Sequence, residues 1–154
     1  MTFASTLRLH GWQGLHRASL ETLQINLGKL CNQACHHCHV DAGPKRTEII
    51  THETAERVLQ VLQRTPEVKT VDLTGGAPEL NPNFRMLVQE SRRLQKRVID
   101  RCNLTILLEP GFEDLLDFLR AHEIDIVASL PCYTAENVDK QRGRGVFDRS
   151  IRAL

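Results

Sequence analysis

Four short segments of the chain have the alternation or the apolar density of β-strands. Residues 23–27 (LQINL) alternate apolar and polar side chains, and residues 68–74 and 97–101 form a second candidate and a shorter third. Residues 124–130 form an apolar run, which is typical of a strand that is buried on both faces. The pattern therefore predicts four strands.

Between these strands, apolar residues recur with the 3.6-residue period of an amphipathic helix. Thr51 is a candidate N-cap of the first helix, Asn81 and Pro82 open the second, and the third begins near Gly111. The order β-α-β-α-β-α-β predicts an α/β fold with a parallel sheet, whose active site lies at the carboxyl ends of the strands. The predicted inward-facing residues are Ala55, Val58, Leu59 and Leu62, then Phe84, Leu87, Val88 and Ser91, then Phe112, Leu115, Leu116 and Leu119.

The domain organisation follows from the same pattern. Residues 1–20 show neither period, and we interpret them as an irregular N-terminal leader before a core that spans residues 21–154. Four βα units do not close a barrel, and residues 147–154 look like a helix that is cut short. We therefore expect truncation after the fourth βα unit, with a missing C-terminal region, a partner or a dimer contact over the open sheet edge.

The composition is that of an ordinary globular domain. The 154 residues are 41% apolar and 25% charged, and 20 basic against 19 acidic side chains leave a formal charge of +1. This balance argues against nucleic acid or an anionic membrane as a partner. No apolar stretch reaches the ~20 residues that span a bilayer, and the N-terminal segment lacks the apolar region of a signal peptide, so we expect a cytoplasmic location.

Three of the five cysteines, Cys31, Cys35 and Cys38, lie in one short loop after the first predicted strand. A disulfide framework is disfavoured because the cytosol keeps thiols reduced. Three thiolates in one loop suit an iron–sulfur cluster. With three close cysteines and no obvious fourth, a cubane would keep one iron free of protein thiolate and open to a substrate or cofactor.

Other interpretations of this loop remain open from the residues alone. Zinc accepts cysteine and histidine together, and the loop also carries His36, His37 and His39. The segment CHHCH matches the haem-attachment pattern C-x-x-C-H, but such attachment belongs to exported proteins. Burial of the cysteines as small apolar residues is disfavoured by the polar character of the loop. The main alternative is thus a zinc- or cluster-binding module with a structural or regulatory role.

The spacing C-x3-C-x2-C after one strand, followed by Thr74-Gly75-Gly76 after the next, resembles the radical S-adenosylmethionine (SAM) superfamily. The resemblance implies the first part of a partial (β/α)6 barrel, a [4Fe–4S] cluster and SAM as cofactors. It further implies that SAM, chelated through its amino and carboxylate groups, is cleaved to methionine and a 5′-deoxyadenosyl radical. An electron donor such as flavodoxin or ferredoxin is implied as a partner.

The resemblance carries over residue by residue. Cys31, Cys35 and Cys38 match the cluster ligands, and His37 stands where the family has an aromatic residue near adenine. Thr74, Gly75 and Gly76 match the loop that receives the SAM amino group, although a Gly-Gly pair also suits a simple tight turn. Ala77 replaces the usual glutamate, with Glu79 two positions later. Further predicted cofactor contacts, at the ribose, are Asn103 and Ser129.

More narrowly, the segments CNQACHHCHVDAGP and TGGAPELNPNF resemble the arsenosugar-biosynthesis radical SAM proteins. This resemblance implies a small-molecule substrate, a methylated arsenical that receives the deoxyadenosyl group. Because trivalent arsenic is thiophilic, we hypothesise that Cys102 or Cys132 meets that substrate, although burial as a packing residue is the commoner role of such a cysteine. Lys140, Arg142 and Arg144 are candidates for binding the SAM carboxylate, or else belong to a solvated loop.

Overall fold

The computed structural model describes residues 2–12, 14 and 18–154, and its centre is one parallel four-stranded sheet. The strands, in their order across the sheet, are β1 (Thr22–Asn26), β2 (Thr70–Thr74), β3 (Arg97–Asp100) and β4 (Asp125–Ile126). Each strand pairs in parallel with the next strand along the chain. The predicted α/β fold built from βα units is confirmed.

Three helices make the crossovers between strands, and the remaining helices lie at the two ends of the chain. The helices are α1 (Phe3–Leu9), α2 (His52–Arg64), α3 (Phe84–Arg93), α4 (Leu115–Ala121), α5 (Ala135–Arg142) and α6 (Val146–Ala153), with 3-10 turns at Pro78–Leu80 and Thr105–Leu108. Thr51 is the N-cap of α2, as predicted, and its side chain accepts a hydrogen bond from the Thr54 N–H. Among the described residues, no helix is both long and apolar enough to cross a membrane.

The two faces of the sheet differ in polarity. Ile25, Val71 and Val98 point to one face, where they join the helices in a single apolar core. Because side chains alternate along a strand, Gln24 and Asp72 point to the other face, where they hydrogen-bond to each other. The helices therefore cover the apolar face of the sheet, and a binding site can form on the polar face.

The register brings the carboxyl ends of the strands to one edge. Asn26 pairs with Thr74, and Leu73 pairs with Asp100, so the segments that follow β1, β2 and β3 leave the sheet side by side. The loop after β1 carries the three clustered cysteines, and the turn after β2 carries Gly75 and Gly76. The predicted site residues therefore share one edge of the sheet.

A pair of buried carboxyl groups lies on the core side of this edge. Glu79 is 6% exposed and Asp100 is fully buried. One oxygen of each, together with the sulfur of Cys102, lies within 4.8 Å of the others. No N–H or O–H group of the described chain donates to either carboxyl group, so the pair must carry its own proton. Burial raises the pKa of both acids, and their mutual repulsion raises the pKa of Asp100 further.

Two predictions of burial are wrong. The segment 124–130 contributes only the two residues of β4, and Ile126 and Val127 are exposed, because β4 is the edge strand and pairs with β3 alone. Leu116 faces solvent, since α4 begins at Leu115 and places Leu115 and Leu119, four residues apart, on its inner side. The inward positions predicted for α3 are all buried.

The two ends of the chain also differ from the prediction. The proposed irregular leader contains α1, which buries no residue, while residues 1, 13 and 15–17 of that leader lie outside the described residues. The segment 135–142 forms the helix α5, which the apolar period did not predict. The period is missing because Val138 is the only residue that α5 buries. Helices without a continuous apolar face escape a search for periodicity.

We predict that Glu79→Gln makes the protein less sensitive to alkaline pH. In the native protein the carboxyl pair holds a proton that the unfolded chain releases near the ordinary carboxyl pKa, so its stabilising contribution is complete below that pKa. This contribution is lost as pH rises through the raised native pKa, with a slope of up to about 1.4 kcal/mol per pH unit for one proton. Urea unfolding between pH 4 and about pH 8 measures the slope, which the amide should flatten because it donates a hydrogen bond without titrating. The same slope in Glu79→Gln and wild type would contradict the shared proton.

Candidate functional site

The cysteine loop is closed at its base by backbone pairing. The Lys29 N–H donates to the Glu48 carbonyl at 2.7 Å, and the Gly43 N–H donates back to the Lys29 carbonyl at 2.9 Å. The Cys31 N–H donates to the Gly43 carbonyl at 3.3 Å. Residues 28–31 are therefore held like a short strand, which fixes the first cysteine while Cys35 and Cys38 lie on the open part of the loop.

The Gly75-Gly76 turn packs directly against this segment. The Gly76 N–H donates to the Gly28 carbonyl and the Ala77 N–H to the Leu30 carbonyl, both at 2.9 Å. A Cβ atom on Gly76 would lie 2.3 Å from the Leu30 carbonyl oxygen. Gly75, at φ +137°, would place a Cβ 2.7 Å from the Gly28 carbonyl oxygen. Both glycines are thus required by the approach of the cysteine loop, whatever they contact on the cavity side.

A cavity of about 360 Å³ opens between the loop and the strand ends. Nine of the ten residues predicted as ligands or cofactor contacts line it; Ala77, which is 4% exposed, packs behind the turn and does not. Arg142, near the end of α5, completes the wall. The lining residues that the sequence predicted are Cys31, Cys35, Cys38, His37, Thr74, Gly75, Gly76, Asn103 and Ser129.

Each loop sulfur has a polar neighbour. The Gln33 N–H donates to the Cys31 sulfur at 3.4 Å, and the Ala42 N–H donates to the Cys38 sulfur at 3.2 Å. Burial raises the pKa of Cys31 and of Cys35, and the positive charge of Arg142 partly offsets the rise at Cys35. Buried thiols of this kind become thiolates when a metal centre compensates their charge.

The donor set fits an iron–sulfur cluster better than a single zinc ion. A tetrahedral zinc with bonds of about 2.3 Å brings its sulfur ligands to roughly 3.8 Å from one another. In the described chain the only three metal-ligating side chains within 4.8 Å of one another are Glu79, Asp100 and Cys102, so the three loop sulfurs are more widely spread. A cubane, which offers a separate iron to each thiolate, matches that spread.

Asn103 is engaged in a network that braces the cysteine loop. Its amide nitrogen donates to Asn32 at 2.7 Å and to the Cys31 sulfur at 3.5 Å, while its oxygen accepts from the Ile106 N–H at 3.2 Å. Gln33 donates to Thr105 at 2.7 Å from the other side. The sequence singled out Asn103 as a ribose contact, which stays a prediction, and it did not mark Gln33 and Thr105, since no spacing rule marks side chains that support a ligand.

Arg142 reaches across the cavity wall to Ser129. Its guanidinium donates to the Ser129 carbonyl at 2.8 Å and also to the Ser129 hydroxyl. The His36 N–H donates to the Gln141 carbonyl at 2.8 Å, which ties α5 to the cysteine loop. Of the three basic residues that the sequence singled out, Arg142 alone lines the cavity.

The two remaining cysteines do not line the cavity. Cys102 is fully buried beside the Glu79 and Asp100 carboxyl groups on the core side, and burial raises the pKa of its thiol strongly. Cys132 lies after β4, and hydrogen bonds from Thr134 lower the pKa of its thiol. The hypothesis that Cys102 meets a substrate is therefore wrong for this conformation, because its side chain points away from the site.

A family model for the radical SAM superfamily matches residues 25–154. No curated protein matches the chain.

Solved structures share the fold of the chain. SuiB of Streptococcus suis bound to S-adenosylmethionine superposes with a TM-score of 0.70 at 19% identity, covering 97% of this chain and 33% of SuiB. AnSMEcpe with bound AdoMet superposes with a TM-score of 0.65 at 21% identity, covering 87% of this chain and 39% of that protein. SuiB bound to the precursor peptide SuiA gives a TM-score of 0.67 at 19% identity, covering 97% of this chain and 32% of SuiB. The chain therefore spans about a third of the length of these proteins, and at such identities they inform on fold alone.

We predict that Gly76→Ala displaces the cysteine loop. The added methyl group would overlap the Leu30 carbonyl, which we expect to lower the free energy of unfolding by about 2 kcal/mol and to reduce the iron and sulfide taken up on anaerobic reconstitution. Gly43→Ala is the matched control, because the nearest atom to its added Cβ would lie 4.0 Å away. Equal iron content in wild type and both variants would show that the close approach is not needed for the site.

Proposed function

This chain belongs to the radical SAM superfamily, and we propose that it holds a [4Fe–4S] cluster on Cys31, Cys35 and Cys38 and carries out reductive cleavage of SAM. When bound, the cluster supplies the electron that divides SAM into methionine and a 5′-deoxyadenosyl radical. The observation that carries the proposal is the single cavity that the three cysteines and the Gly75-Gly76 turn line together. A flavodoxin or ferredoxin is the proposed electron donor.

The turn offers free acceptors for the SAM amino group. In the described chain no hydrogen-bond donor contacts the carbonyl oxygens of Gly75 and Gly76. The family's usual acidic residue of this turn is Ala77 here, and Glu79 follows two positions later. Glu79 is buried behind the turn and shares its proton with Asp100. We therefore assign reception of the ammonium group to backbone carbonyls, with no carboxylate involved.

The opposite wall offers a cation for the SAM carboxylate. The Arg142 guanidinium lies at the cavity wall and is oriented by Ser129. A guanidinium binds a carboxylate through two parallel hydrogen bonds, so this position suits the second chelating group of SAM. His37, which is exposed at the cavity, is the proposed neighbour of the adenine ring, and Asn103 and Ser129 are the proposed ribose contacts.

For the substrate we propose a methylated arsenical with trivalent arsenic, which takes up the deoxyadenosyl radical through a new arsenic–carbon bond. The one electron released as arsenic becomes pentavalent would return to the oxidised cluster. Support comes from the segments CNQACHHCHVDAGP and TGGAPELNPNF, which resemble those of arsenosugar-biosynthesis proteins. In the structure Gly76 and Ala77 of the second segment donate hydrogen bonds to Gly28 and Leu30, which lie just before the first segment.

We predict a reduced-cluster signal that responds to SAM. Electron paramagnetic resonance of the anaerobically reconstituted, dithionite-reduced protein should show the signal and change on addition of SAM, because one iron is free of protein ligands. A variant with Cys31, Cys35 and Cys38 replaced by alanine is the control and should show no signal. Bound zinc with no cluster would instead favour the structural or regulatory alternative.

We also predict that the products formed after SAM cleavage identify the substrate. With a trivalent methylated arsenical present, mass spectrometry should detect a conjugate of arsenic with the deoxyadenosyl group; without it, free 5′-deoxyadenosine should accumulate. The cysteine-to-alanine variant controls for chemical reaction of arsenic with SAM. Free 5′-deoxyadenosine in both samples, with no arsenic conjugate, would support SAM cleavage and reject the arsenical.

A further inference from the structure

A second cavity, of about 330 Å³, lies on the polar face of the sheet beside the first. Its lining consists of Gln24, Asn26, His39, Val40, Thr74 and Arg101. Four of these six residues also line the cysteine cavity, so the two spaces adjoin. A molecule in the second cavity would lie next to whatever the first one holds.

Arg101 is fixed at the boundary between the two cavities. Its Nε donates to the Asp72 carboxylate at 2.8 and 3.1 Å, and its Nη2 donates at 2.7 Å. Gln24 donates to the same carboxylate at 2.9 Å from β1. Burial acts to raise the pKa of Asp72, but the hydrogen bonds from Arg101 and Gln24 outweigh it and hold the pKa below its usual value. The carboxylate is thus charged and fully engaged.

Two hydrogen-bond donors at this cavity have no partner among the described residues. Within the described chain, Nη1 of Arg101 makes no hydrogen bond, and the Arg101 side chain is 44% exposed. The Asn26 side-chain oxygen accepts from the Gly28 N–H at 2.9 Å, and its amide nitrogen has no hydrogen-bond partner among the described residues. The exposed His39 is the other titratable side chain of the lining. Among the described residues no acid lines this cavity, and Asp72 contacts it only through its partners Arg101 and Gln24.

We infer that this second cavity binds an oxyanionic group of the substrate through the free guanidinium edge of Arg101 and the amide of Asn26. Carboxylate, phosphate and arsinate groups share the required chemistry, since each presents paired acceptor oxygens to such donors. The inference rests on the proposed function, because it takes the neighbouring cavity to hold SAM. It adds the class of substrate: a polar molecule with an oxyanion, bound by Arg101, which Asp72 holds in place. Because a trivalent methylated arsenical is uncharged near neutral pH, this substrate class is an alternative to the arsenical, and the inference rests on the cleavage of SAM alone.

The test is anaerobic isothermal titration calorimetry with inorganic phosphate, acetate and dimethylarsinate as separate probes. Each probe is titrated into the protein without cluster and into the reconstituted protein saturated with SAM. We expect at least one probe to bind in both states, and the ranking of the three identifies the oxyanion. Absence of binding by all three, or loss of binding when SAM is present, would overturn the inference.

Two variants locate the binding. Asn26→Asp keeps the acceptor for the Gly28 N–H but replaces the free donor by a negative charge, so affinity should fall about tenfold or more. The paired change Asp72→Asn with Arg101→Gln removes the guanidinium without leaving a buried charge behind and should have a similar effect. Arg85→Gln, which removes a surface arginine paired with Asp114, is the control and should bind like wild type. Undiminished binding by a folded Asn26→Asp protein would place the site elsewhere.

The readouts separate this inference from the proposed function. Paramagnetic resonance on the same reconstituted samples reports the response to SAM, whereas calorimetry on the protein without cluster reports the cavity alone. A SAM response without anion binding would reject only the oxyanion site. Anion binding without a SAM response would reject the proposed function and leave a ligand site on the polar face.

Discussion

The backbone contact between the Gly75-Gly76 turn and residues 28–31 is the constraint on which the site depends. Two hydrogen bonds cross it, and neither glycine has room for a Cβ atom. Because β1 and β2 pair in register up to Asn26 and Thr74, the sheet delivers both segments to the same place. The fold consequently fixes the backbone of Cys31, the first cysteine of the cysteine loop.

The sheet divides the molecule into an apolar side and a polar side, and buried carboxyl groups have different charge states on the two sides. On the helix side, Glu79 and Asp100 lack donors in the described chain and must share a proton. On the polar side, Asp72 is nearly as buried but stays charged, since Arg101 and Gln24 both donate to it. Asp100 pairs with Leu73, the neighbour of Asp72, so the two acids are one register position apart and point to opposite faces of the sheet. This difference of face gives them opposite charge states.

The supporting residues around the cysteines form a layer of their own. Gln33, Asn103 and Thr105 connect the cysteine loop to the 3-10 turn after β3. Asn32 of the loop donates to Glu109 at 3.0 Å, and Glu109 accepts from Arg149 of α6 at 2.6 Å. The last helix of the chain is thereby linked to the first cysteine. Such a layer sets ligand orientation and solvent access, which are the means by which a protein tunes a metal centre.

The sequence by itself determined the order of elements, the parallel sheet and the cysteine–glycine constellation, because these follow from local periodicity and from the spacing of chemically distinctive residues. Only the tertiary structure decided what lies beside them. Ala77 and Glu79 lie outside the cavity, and Arg142 lines it from a helix with a single buried residue. β4 is exposed at the edge of the sheet. Those outcomes depend on which face a side chain takes and on which distant segment meets it, and neither is encoded in local pattern.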